Sequence, residues 1–155
     1  MATLKVYTKE EITLEGNTRS IETVRDIAGI IDVDHRIVNI PNAGEIELIN
    51  FGSNVPGPGS FTRSSDPLYI RITALSAGDD GLTLKVKTTD SGSYTQTLAT
   101  EDTFMLNGGS TAIGFATGSI ETTGSLENIE SISVTPSAQS KVEYFIANAG
   151  GSLIN

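Results

Sequence analysis

The chain has 155 residues and a net charge of −9, from 19 acidic residues against 10 lysines and arginines. That balance argues against binding nucleic acid through neutralised phosphates and against docking on an anionic membrane. With no cysteine, disulfides, thiol catalysis and cysteine-ligated zinc or iron–sulfur centres are excluded.

A chain of this size can bury roughly two-thirds of its surface in one core, so no metal or disulfide staple is required. Nineteen Thr and 17 Ile against 11 Ala favour strands over helices. No apolar run approaches the roughly 18 residues of a membrane span, and the opening residues lack the apolar stretch of a secretory signal.

In chain order, residues 4–7 and 12–14 read as an opening pair of short strands. Over 20–31, Ile21, Val24, Ile27 and Ile31 fall near helical spacing with Ser20 as a candidate cap. The β-branched residues and Gly29 instead suit a strand with a bulge, and both readings stand on the sequence. Residues 35–40 and 45–50 read as strands joined by Pro41-Asn42-Ala43-Gly44. The segment 51–66 holds two prolines and two glycines over 56–59 and reads as a long surface loop.

Period-two alternation is clearest further on. Leu68, Ile70, Ile72 and Ala74 share one face of a strand, with Tyr69, Arg71, Thr73 and Leu75 on the other. Leu82, Leu84 and Val86 repeat the pattern, and the intervening Gly78-Asp79-Asp80-Gly81 suggests that the two runs form a hairpin. Further strands are expected over 94–98, 103–106, 111–115, 129–134 and 141–147. Eight to ten short strands separated by turns predict an all-β, antiparallel two-sheet sandwich, jelly-roll-like, with little helix. The whole of 1–155 reads as one domain, with the loop at about 51–66 and a flexible C-terminal arm at about 148–155 that ends in Leu153-Ile154.

The residues that could carry chemistry are few. Asp32, Asp34 and His35 offer metal-ligating atoms, but on a strand the two aspartates point away from His35. That pattern suits a charged strand edge that discourages edge-to-edge pairing. His35 is the single histidine, and no Gly-x-Ser-x-Gly elbow surrounds any of the 16 serines. Asp79 and Asp80 precede a glycine as turn residues do, and with Asp66 they make no convincing acid pair. The pairs Gly108-Gly109 and Gly150-Gly151 lack the basic residue of a phosphate loop. For sugar binding the chain has no tryptophan, which leaves Phe51, Phe61 and Phe115 near loops. No catalytic, cofactor-binding or metal residue is assigned, and the expectation is a protein that is not an enzyme.

Three stretches carry a resemblance: Val33 through Pro41, a strand with a basic middle entering a proline turn; Tyr69 through Leu75, entering an acidic turn; and Ile132-Ser133-Val134 followed by Lys141 through Ala147. Together they resemble small β-sandwich virion structural proteins of tailed bacteriophages, of the marine and cyanobacterial type. The resemblance spans about residues 33–147 and implies a virion component, either a capsid decoration (cement) subunit or a tail or neck component with a glycan-binding, host-adhesion role. The partners implied are other virion proteins, such as the major capsid protein or tail and neck proteins, together with further copies of the chain in a homo-oligomer. It implies no cofactor, no nucleic acid and no membrane.

Overall fold

The computed structural model of the chain describes residues 2–51, 67–88, 92–107, 115–117, 120–122 and 129–148. These form strands and turns with no helix. The strands are β1 (Ala2–Leu14), β2 (Asn17–Ile30), β3 (Asp32–Ile40), β4 (Ile46–Asn50), β5 (Pro67–Ser76), β6 (Leu82–Thr88), β7 (Ser93–Leu98), β8 (Thr103–Asn107), β9 (Phe115–Thr117), β10 (Ile120–Thr122), β11 (Ile129–Pro136) and β12 (Ser140–Asn148).

Eight of them make two four-stranded antiparallel sheets, β3-β12-β5-β8 and β4-β11-β6-β7. Numbered among themselves in chain order, they run 1-8-3-6 and 2-7-4-5, the order of a jelly roll. The expected two-sheet sandwich is therefore the observed fold. The alternating rows explain it: Ile70 and Ile72 of β5, Leu84 of β6, Ile132 of β11 and Ile146 of β12 are fully buried in one shared core. Each such side chain contributes about 1.5–3 kcal/mol on leaving water.

The expected hairpin of β5 and β6 is not formed. β5 pairs with β12 and β8, whereas β6 pairs with β11 and β7 in the opposite sheet. Both rows are apolar because they face each other across the core, and the turn between them is an arch from one sheet to the other. Asp79 and Asp80 are the central residues of that turn, closed by the Gly81 amide donating to the Gly78 carbonyl at 2.8 Å. Gly81 needs its φ of +78°, and a Cβ there would lie 2.8 Å from the Leu98 carbonyl oxygen. The arch between β11 and β12 packs on the same end, with the Ser137 hydroxyl donating to the Gly81 carbonyl at 2.8 Å.

The opening pair of short strands is also corrected. Residues 2–14 are one continuous strand, paired along its whole length with β2. This settles 20–30 as strand and leaves Ile31 at the joint to β3, with Gly29 (φ +84°) as the extra residue where Thr3 faces Ala28 and Ala2 faces Ile30. The pair β9–β10 lies between β8 and β11, and β10 falls on none of the expected strands. Asn148, expected to begin the C-terminal arm, is instead the buried last residue of β12. The rest of that arm (149–155), residues 52–66 of the long loop, Phe61, Asp66 and both glycine pairs lie outside the described residues.

Candidate functional site: a hairpin arm and the sheet face beneath it

The β1–β2 ribbon is built by local sequence. Glu15 (φ 51°) and Gly16 (φ 81°) form its two-residue loop, a turn with both central residues left-handed that matches the twist of the flanking strands. Cross-strand register places Leu4, Val6, Ile12 and Leu14 on the same ribbon face as Ile21 and Ile27. At the base, Leu4, Val6 and Ile27 pack with Tyr69, Ala147 and Phe145, on the outer face of the β3-β12-β5-β8 sheet. Tyr69 is therefore buried although it belongs to the outward row of β5, and that burial pushes its phenol above the usual tyrosine range. Beyond the base, every residue from 8 to 23 is exposed.

On the outer sheet face, Glu143 accepts a hydrogen bond from His35 Nε2 at 2.6 Å and pairs with Arg71 at 3.4 Å. The Arg71 guanidinium lies 5.9 Å from the centre of the Phe145 ring, which meets Tyr69 edge-on, also at 5.9 Å. An open cleft of about 640 Å³ beside this cluster is lined by Lys5 and Lys9 of β1 and by His35, Arg71, Met105 and Phe145 of the sheet. The cluster holds its one carboxylate between the His35 ring and the Arg71 guanidinium. Asp34 lies on the opposite side of β3, where it accepts from Arg36 Nε at 2.9 Å and from the Tyr144 hydroxyl at 3.3 Å. The alternation that separates His35 from Asp34 was legible in the sequence. Phe51, a sugar-stacking candidate, is buried in the core, and the side chain of Phe115 lies outside the described residues.

The two outer faces of the sandwich differ in kind. On the β4-β11-β6-β7 sheet, Ser131, Ser133 and Thr135 stand opposite Lys87, Lys85 and Thr83. Glu45 there is held below the usual carboxylate range, first by the Ser133 hydroxyl and then by Lys85 and Lys87. Comparison with protein-family models, curated proteins and solved structures finds no match to this chain. The site must speak through its own chemistry.

Among the described residues, ten large apolar side chains are exposed, and none lies on that polar sheet. Tyr7, Ile12, Leu14, Ile21 and Val24 are on the arm. Val33, Ile37, Leu75 and Met105 are on the outer face of the other sheet, and Ile31 is at the joint between β2 and β3. Sequence reasoning missed this surface because it read the first 14 residues as two short strands. The two-residue Glu15-Gly16 step between runs that both hold β-branched residues was the available signal.

Proposed function

We propose that this chain is a non-enzymatic virion structural protein of a tailed bacteriophage, a capsid decoration subunit that works by binding other virion proteins and further copies of itself. The observation that carries the contact role is the segregation of exposed apolar side chains onto the arm and the sheet face beside it. Apolar patches of this kind mark contact surfaces in folded proteins, whereas isolated exposed residues do not. A two-stranded ribbon is marginal in water on its own, so an arm with Ile21 67% exposed suits a chain that meets a neighbour.

The resemblance of 33–147 to small virion proteins supplies the setting. The jelly roll agrees with it, since that fold serves capsid and lectin domains alike, but fold alone does not choose between them. The tail or neck reading with glycan adhesion has less support, because Phe51 is a core residue.

Immunogold electron microscopy of purified particles tests the proposal. Label spread over the head supports a decoration subunit, label confined to the tail or neck moves the assignment to the adhesion reading, and particles without label refute a virion role.

A further inference from the structure

The ribbon face that grips the sheet at the base continues, unbroken in register, into Ile12, Leu14 and Ile21. These three side chains are 54%, 59% and 67% exposed. Beside the covered Tyr69–Phe145–Ala147 patch, on the same outer sheet face, Val33 and Ile37 of β3 are also open, Ile37 by 60%. One chain thus carries both a ribbon face with three open apolar side chains, each opposite a polar one (Arg19, Asn17 and Glu10), and a sheet surface of the kind that its own arm base already covers. From this we infer that two copies associate by reciprocal arm exchange, each laying the Ile12–Leu14–Ile21 face of its arm on the Val33–Ile37 side of the other's sheet.

Charge favours a second copy as the occupant, and size allows it. Residues 8–23 carry four glutamates against Lys9 and Arg19. The outward rows of the receiving sheet hold Arg71 and Lys141 against Glu143, a net charge of +1 in a chain of net charge −9. The exposed ribbon extends about 27 Å at the usual strand rise. A stable interface takes roughly 20–30 residues a side. In a two-fold arrangement each copy contributes both surfaces: the eight residues of the laid arm face with the two of its loop, and the seven accessible outward residues of β3 and β12, come to 17 a side, just below that range.

The test uses the absence of cysteine from the chain. Ile12→Cys and Ile37→Cys chains, one isotopically labelled, are mixed and treated with a short bifunctional maleimide. Light scattering reports the mass of the unmodified chain. The expected results are a dimer in scattering and covalent pairs made chiefly between the two variants, several-fold above either variant alone. An Ile12→Thr/Ile21→Thr chain and, separately, an Ile37→Thr chain should each raise the dissociation constant at least tenfold with an unchanged circular dichroism spectrum.

A monomer at millimolar concentration, or cross-links only between two Ile12→Cys chains, would overturn the exchange. The inference rests on the arm as a contact surface and not on the virion. A monomer with labelled heads in the microscope refutes exchange alone, whereas a cross-linked dimer with unlabelled particles refutes the virion alone.

Discussion

Tyr144 sits midway along β12 with its ring in the core, 1% exposed, and its hydroxyl at the rim against Asp34. Burial, and then the charge of Asp34, push its phenol up to about 12. The fold favours the neutral phenol, so its folded pKa exceeds the unfolded value of about 10. The associated stability is complete below about pH 10 and is lost as pH rises toward 12. A shift of this size is worth about 2–3 kcal/mol. Urea denaturation should therefore show a fall of that order between about pH 10 and 12, in step with tyrosinate absorbance. Tyr144→Phe should reduce the fall, leaving the part that buried Tyr69 carries, while costing about 1 kcal/mol at neutral pH through the lost hydrogen bond. An alkaline fall unchanged in Tyr144→Phe would show that another group controls it. Arg36 reinforces this corner, its guanidinium held above its ordinary value chiefly by the hydrogen bond to Asp34.

The arm joins a packed base to an uncovered end, and equal side chains should report the difference. Ile27 is 5% exposed and Ile21 is 67% exposed, both on the same ribbon face. In dilute monomer, Ile27→Ala should cost about 2–3 kcal/mol, by lost burial and an incompletely filled cavity. Ile21→Ala should stay within about 0.5 kcal/mol, as surface changes do. Chemical denaturation of the two variants checks this, and equal losses would mean that the distal arm is buried against its own body. The same contrast explains what could be read from the sequence. Alternation was clear in β5, β6 and β12 because one face of each packs into the core and the period follows. It failed over 20–31, where solvent surrounds most of β2 and Ile21, Val24 and Ile27 have no single core face to obey. Pairing was harder still. The rows Ile70–Ile72 and Leu84–Val86 announce burial, but an arch and a hairpin bury such rows equally well, and only long-range partners such as Ile146 and Ile132 decide between them.

At the scale of the whole molecule, assembly sets apolar contact against net charge. Two bodies of charge −9 with centres about 35 Å apart repel by about 3 kcal/mol at about 0.01 M salt, where the screening length is about 30 Å. At about 0.15 M the screening length is about 8 Å, and the same repulsion falls to about 0.1 kcal/mol. The contact of Ile12, Leu14 and Ile21 with Val33 and Ile37 carries no charge and changes little over this range. The glutamates of the arm against Arg71 and Lys141 act at close range, where screening removes less. Self-association should therefore tighten by about 100-fold between the two salt concentrations and then level off. Sedimentation equilibrium across that range measures it. Association that loosens steadily as salt is added would show that ion pairs, and not the apolar stripe, hold the copies together.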